Sequence, residues 1–85
     1  MVDQRKLDLL SDLVAKELKS RREAAGLSKN ELATRSGLAV SFVSYLESGK
    51  RKPTIETLTR LALVFGTSAS DLLAVCEKQV KLDLG

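Results

Sequence analysis

The sequence predicts an all-α protein, a compact five-helix domain that spans residues 1–85. Apolar residues recur at steps of three and four along most of the chain, which is the spacing of one face of an α-helix. Glycines and a single proline separate these periodic segments, and the short connections are typical of helices that pack as neighbours. With 85 residues, 44% of them hydrophobic, the chain is long enough for one small domain with a buried core.

The first two predicted helices cover residues 7–25 and 28–35. Charged residues lie between the members of the first helix's apolar stripe, and Gly26 ends this helix because it can adopt the left-handed backbone conformation. The stripe consists of Leu7, Leu10, Val14 and Leu18. The second helix opens with a capping box at residues 28–31, in which a hydroxyl and a carboxylate each accept a backbone N–H. Gly37 stops it.

The third and fourth predicted helices flank a basic loop. The third covers residues 39–48, with Val43 and Leu46 facing inward. The loop at residues 50–52 ends at a proline, which disfavours helix at the residue before it. Thr54 can cap the fourth helix. The apolar set of this helix is Ile55, Leu58, Leu61, Ala62 and Phe65.

A second capping box, at residues 68–71, opens the fifth predicted helix. Its inward residues are Leu72, Leu73 and Cys76. The segment after it has two interpretations. The spacing of Val80, Leu82 and Leu84 matches the two-residue period of a strand. The alternative is a helix, because three- and four-residue steps connect Leu73, Cys76, Val80 and Leu84. Strand, helix and disorder therefore all stay open for residues 77–85.

The composition excludes several classes of function. The chain has no histidine and one cysteine, which removes disulfide frameworks, Cys/His zinc sites and Ser-His-Asp triads. We expect no enzyme activity, no metal and no cofactor, and we expect Cys76 to be a small buried apolar residue. No apolar run reaches the length of a membrane span, and the N-terminus lacks the apolar region of a signal peptide. We therefore expect a cytoplasmic protein without a membrane partner.

The positive charge is concentrated in one stretch. The net charge of the chain is +3, and residues 28–52 hold five bases and two acids, a balance of 5 − 2 = +3. The other sixty residues therefore sum to zero. A charge excess confined to one stretch indicates that an anionic partner meets one face of the protein.

A short capped helix, a glycine turn and a second short helix form a helix-turn-helix candidate. Residues 26–33, 36–38 and 43–53 of this chain (GLSKNELA, SGL and VSYLESGKRKP) resemble the phage repressor and Cro type of helix-turn-helix, the Xre family. The resemblance covers residues 14–75. It implies a repressor-like, DNA-binding transcriptional regulator whose third helix enters the major groove of double-stranded DNA.

The resemblance also assigns residues to roles. The base-reading positions of the family fall on Ala39, Val40, Ser41, Ser44 and Tyr45. The phosphate-contacting positions fall on Lys29, Phe42, Lys50, Arg51 and Lys52. Phe42 has no side-chain donor, so its contact would fall to backbone N–H groups. Gln or Arg often stands at the site of Val40, and without that bidentate reader apolar contact or DNA shape would carry more of the specificity. Arg22 and Glu47 match an ion pair found in several relatives.

A module of this size reads only a few base pairs, so we expect a homodimer on a palindromic operator. The extensions at residues 1–13 and 76–85 are candidates for the dimer contact. Among small regulators, a restriction-modification controller is the preferred comparison. The alternative is an antitoxin or another protein-interaction module with the same fold. A toxin or RNA polymerase as a protein partner stays open, as do the operator sequence and the choice between activation and repression.

Overall fold

The computed structural model describes all residues from Met1 to Gly85 and confirms the all-α prediction. The chain forms five α-helices and no strand. In chain order they are α1 (Gln4–Ala24), α2 (Lys29–Ser36), α3 (Val40–Ser48), α4 (Ile55–Val64) and α5 (Ala69–Leu84). Helix α1 packs against α3 and α5, α2 packs against α3 and α4, and α4 packs against α5.

One core holds these helices together. It is built mainly from leucines, valines and alanines whose side chains are almost completely buried. Its members are Val14, Leu18, Leu27, Leu32, Ala33, Val43, Leu46, Leu58, Leu61, Ala62, Leu72 and Cys76. All five helices contribute to this set, so no helix has its apolar face satisfied without the others. Burial raises the pKa of the Cys76 thiol, because the charged thiolate is poorly solvated there.

Capping residues set the helix starts. Asp3 accepts the Arg5 N–H at 3.0 Å, and α1 therefore begins at Gln4, three residues before the predicted start. At α2 the complete capping box forms, because Ser28 Oγ accepts the Glu31 N–H and Glu31 Oε1 accepts the Ser28 N–H. These bonds lower the pKa of Glu31, with the backbone hydrogen bond from Ser28 contributing most.

The second predicted capping box is only half formed. Ser68 Oγ accepts the Asp71 N–H at 3.1 Å, but no bond returns from the aspartate to the Ser68 N–H. Aspartate is one methylene shorter than the glutamate or glutamine that the full motif uses, so its carboxylate does not reach back.

Two kinds of sequence prediction, of secondary structure and of burial, need correction. The strand alternative for residues 77–85 is wrong, because α5 continues to Leu84 and places Val80 inward, in line with Leu72 and Cys76. The apolar pattern predicts Ile55 in the core, yet it is 85% exposed. It lies at the first turn of α4 and lines an open groove, where no neighbouring helix covers it. Leu7, near the start of α1, is exposed as well.

No single helix of the chain is long and apolar enough to cross a membrane. Only α4 and α5 taken together, which meet at 100°, satisfy that test, by length and composition alone.

A buried ion pair positions α3 on this core. Arg22 Nε lies 2.7 Å from Glu47 Oε2, and Arg22 Nη2 lies 3.0 Å from Glu47 Oε1, so the pair is bidentate. The side chains of Arg22 and Glu47 are 11% and 4% exposed. Arg22 Nη1 also donates to the Leu27 carbonyl at 2.9 Å. One guanidinium thus joins the last turn of α1, the α1–α2 connection and α3.

We predict strong energetic coupling between Arg22 and Glu47. Arg22→Met leaves the Glu47 carboxylate and the Leu27 carbonyl without their donors, and it should cost up to about 3–5 kcal/mol of unfolding free energy. Glu47→Gln should cost less, because the amide oxygen can still accept from the guanidinium. Urea unfolding of both single variants and the double variant gives the coupling. Additive effects of the two substitutions would contradict the prediction.

Candidate nucleic-acid interface

Helix α3 has one face in the core and one face outside. Val43 and Leu46 are buried, whereas Val40 and Tyr45 are each 42% exposed. Ser41 is exposed and Ser44 is half-buried beside them. The outward positions i, i+1, i+4 and i+5 therefore present two hydroxyls, an aliphatic group and a phenol on one surface.

The start of α3 differs from the starts of the other helices. Side chains of Asp3, Ser28, Thr54 and Ser68 cap the other four, but Ala39 precedes α3 and has no side-chain acceptor. Ala39 is the N-cap of α3, just outside the helix that the sequence predicts to start at residue 39, and it is exposed. Backbone N–H groups of the first turn of α3 are therefore left without a side-chain partner.

Phe42, where the resemblance places a phosphate contact through backbone N–H groups, uses its side chain for packing. Its side chain is partly buried and packs against the core. Its backbone N–H already donates to the Ala39 carbonyl at 3.1 Å. The residue thus has a packing role, for which an aromatic side chain without a polar group is suited.

The basic loop folds back onto the end of α3. The Arg51 N–H donates to the Tyr45 carbonyl at 3.2 Å, and Lys50 Nζ lies 5.8 Å from the centroid of the Tyr45 ring. This is within the range of a cation–π interaction. Lys50, Arg51 and Lys52 are all exposed, so their charges remain available to a partner. The loop is thus attached to the same residue that presents a phenol on α3.

Lys29 is the first residue of α2 and is exposed. The N-terminus of a helix and a lysine both favour an anion there. Glu31, in the same turn, uses its carboxylate in the capping box.

Arg60 is a positioning residue that no sequence pattern predicted. Its Nη1 donates to the Ser36 carbonyl at 3.2 Å, which ties the end of α2 to α4. Gly37 follows with φ +74°, and a Cβ there would lie 3.0 Å from Arg60 Nη1. The left-handed backbone conformation of this turn favours glycine, and a Cβ at residue 37 would also displace the end of the flexible Arg60 side chain. No local signal marks Arg60, because it lies 24 residues from the carbonyl it binds.

The ion pair also changes the charge of this surface. Residues 28–52 contain five bases, but Glu47, one of their two acids, is buried against Arg22. The exposed balance is then 5 − 1 = +4, with Glu31 as the remaining acid. No group of three or more cysteine or acidic side chains is placed to hold a metal ion. The arrangement is suited to binding a polyanion, with hydroxyl and apolar groups between its cations.

Comparison with known proteins identifies the class. The helix-turn-helix family model HTH_3 matches residues 18–72. An uncharacterized HTH-type transcriptional regulator, y4dJ of Sinorhizobium fredii, is 38% identical over 61 residues, which cover 72% of this chain and 79% of that relative. Several other curated relatives are longer proteins, and the chain matches only 34% to 56% of their length.

Two solved structures are similar. The clp gene regulator ClgR from Corynebacterium glutamicum has a TM-score of 0.77 and 28% identity, covering 88% of this chain and 80% of that one. The restriction-modification controller protein C.AhdI from Aeromonas hydrophila has a TM-score of 0.68 and 32% identity, covering 74% and 94%. These comparisons confirm the resemblance that the motifs indicated. The chain belongs to the HTH_3, or Xre-type, helix-turn-helix family of DNA-binding transcriptional regulators, and not to an enzyme family.

Proposed function

We propose that this protein is a sequence-specific transcriptional regulator that binds a palindromic operator as a homodimer, with α3 in the major groove. The observation that carries the proposal is the outward face of α3, which has exposed polar and apolar side chains and a basic loop folded against its end. The base-reading residues we propose are Ala39, Val40, Ser41, Ser44 and Tyr45. An α-helix such as α3, about 10–12 Å across with its side chains, fits the major groove, which is about 12 Å wide.

Phosphates on either side of the groove would meet the cations that flank α3. We assign this role to Lys29 at the start of α2 and to Lys50, Arg51 and Lys52 in the loop. Their support is the exposed +4 balance of residues 28–52 and the helix dipole at Lys29. Such contacts set register and affinity, whereas the hydroxyls and the valine of α3 discriminate between bases.

A dimer follows from the small reading surface. Two copies related by a two-fold axis would place their α3 helices about 34–36 Å apart, one turn of DNA. The candidate contact lies on the terminal extensions, where Leu82 is 70% exposed on α5 and Leu7 is exposed on α1. Exposed leucines at both ends of the chain are explained if a second copy covers them.

A protein-interaction module such as an antitoxin is the second candidate. It is favoured by an open groove of about 550 Å³ between α1, the 49–54 loop and α4, where Ile55 is uncovered.

Selection of bound sequences from a random DNA pool tests the two candidates. A palindromic consensus supports the regulator. Absence of DNA binding at low salt, together with retained fold, would favour the protein-interaction module.

The phosphate role predicts a uniform decrease in affinity. Lys52→Ala should weaken operator and random DNA by similar factors, because phosphates are alike in every sequence. The slope of log K against log salt should fall by about 0.9 for each phosphate that is no longer neutralised, or about 1.8 in a symmetric dimer. Lys52 is a cleaner choice than Lys50, which also lies over the Tyr45 ring. Titrations of both DNAs at several salt concentrations measure this, and a decrease confined to the operator would contradict it.

The base-reading role predicts a selective decrease in affinity. Ser41→Ala should cost operator binding about 0.5–1.5 kcal/mol for each hydrogen bond that the serine makes to a base, and it should leave random-DNA affinity nearly unchanged. Ser20→Ala is the matched control, since Ser20 is an exposed serine on α1 that lies in a groove beside α5. The same titrations, run with both variants, provide the measurement. Equal decreases on both DNAs for Ser41→Ala would show that this serine binds phosphate instead.

The dimer predicts a mass of about twice 9.3 kDa by light scattering at micromolar concentration. Leu82→Lys should weaken dimerisation by about tenfold or more, since each buried leucine contributes about 1.5–3 kcal/mol. Leu63→Lys, on α4 and 69% exposed, is the matched control. Truncation after Glu77 is less informative because it also removes the buried Val80. A monomer both free and on DNA would contradict the proposed dimer.

A further inference from the structure

Helix α3 has no side chain that can make a bidentate contact with a base. Its sequence, VSFVSYLES, contains no arginine, lysine, asparagine or glutamine. Its one acid, Glu47, is buried against Arg22. The hydrogen-bonding groups left on the outward face are hydroxyls, and a serine hydroxyl bonds to donors and acceptors alike. A hydroxyl contact from this face is therefore less selective than the bidentate contact of an arginine or a glutamine.

An apolar group on the same face adds a second means of discrimination. Helix α3 has two valines, of which Val43 is in the core and Val40 is 42% exposed. Val40 is not a member of the buried core. Its β-branched side chain has few rotamers, so it gives up little side-chain entropy when a partner covers it. Its position in the first turn puts it at the end of α3 that a helix-turn-helix directs toward base edges.

The major groove offers one apolar feature that matches this side chain, the C5-methyl group of thymine. Cytosine carries hydrogen at the same ring position, and 5-methylcytosine carries a methyl there. A valine that packs on this position detects the methyl group itself and makes no hydrogen bond with the ring.

We propose that Val40 is a specificity-determining residue that recognises the C5-methyl group of one pyrimidine in each operator half-site. The inference rests on the proposed function, since it requires α3 to lie in the major groove. It extends that function by naming the chemical group that is read. It also implies that methylation of a cytosine at this position strengthens binding.

The test replaces thymines of the selected operator by deoxyuridine, one symmetric pair at a time, with the full-length protein. At one position of the half-site, the substitution should weaken wild-type binding. The loss of one methyl group should weaken binding by about fourfold, because each buried carbon contributes about 0.8 kcal/mol. The symmetric pair, which removes one methyl group from each half-site, should weaken it by about 15-fold. Val40→Ala removes both γ-methyl groups and should bind the thymine and deoxyuridine operators with a smaller difference than wild type does. Where a cytosine is placed at that position, 5-methylcytosine should bind wild type more tightly than cytosine, and Val40→Ala should distinguish the two bases less than wild type does.

Two control variants separate Val40 from its neighbours. Ser44→Ala, on the same face, should keep the sensitivity to the methyl group. Tyr45→Ala tests the other exposed apolar surface of α3. If Tyr45→Ala abolishes the sensitivity and Val40→Ala keeps it, the assignment to Val40 is wrong.

The remaining outcomes are also distinct. An operator that wild type binds equally with thymine or deoxyuridine at every position overturns this inference and leaves the proposed function intact. Failure to select any operator from the random pool overturns both.

Discussion

The buried ion pair between Arg22 and Glu47 is the interaction on which the orientation of α3 depends. Removing two charges from water is costly, and the cost is offset only where the partners meet with good geometry. A compact arrangement that separates Glu47 from Arg22 but keeps them out of water leaves a carboxylate or a guanidinium buried alone. The third bond, from Arg22 to the Leu27 carbonyl, extends this constraint to the α1–α2 connection. We interpret the pair as a device that selects one arrangement of the helices more than as a net source of stability.

The same pair links the fold to the electrostatics of the surface. Glu47 belongs to the stretch that carries the excess of bases, but its charge is compensated inside the protein by Arg22, which lies outside that stretch. The field over residues 28–52 is therefore more positive than the local sequence indicates. One buried contact thus both holds α3 in place and removes a negative charge from the surface proposed to face DNA.

Other contacts make this surface rigid. Arg60 binds the end of α2 at Ser36, and the 50–52 loop is bonded to the Tyr45 carbonyl. The elements on both sides of α3 are thereby held relative to it. Because the outward side chains of α3 other than Tyr45 are short, the helix has to approach the groove closely, and such an approach requires a fixed orientation of the helix. The rigid frame and the short side chains are consistent with each other.

Local chemistry in the sequence was sufficient for most of the fold. Three- and four-residue spacing predicted the five helices, and Ser28, Thr54 and Ser68 marked three of their starts, because capping and glycine conformation act within a few residues. The basic stretch and the spacing of the motif likewise predicted the family and the candidate interface. The pairing of Arg22 with Glu47 came from the family resemblance and not from any local signal, since the two lie 25 residues apart.

Tertiary structure decided which apolar or charged residues find a partner. It left Ile55 uncovered, packed Phe42 against the core, continued α5 to Leu84 and placed Arg60 on a distant carbonyl. The sequence alone determined which face of each helix is apolar and where each helix can start and stop. What covers each face was decided only by the packing of helices that are distant in sequence. The burial of a residue depends on which helix packs against it, and the spacing of apolar residues within its own helix does not specify that helix.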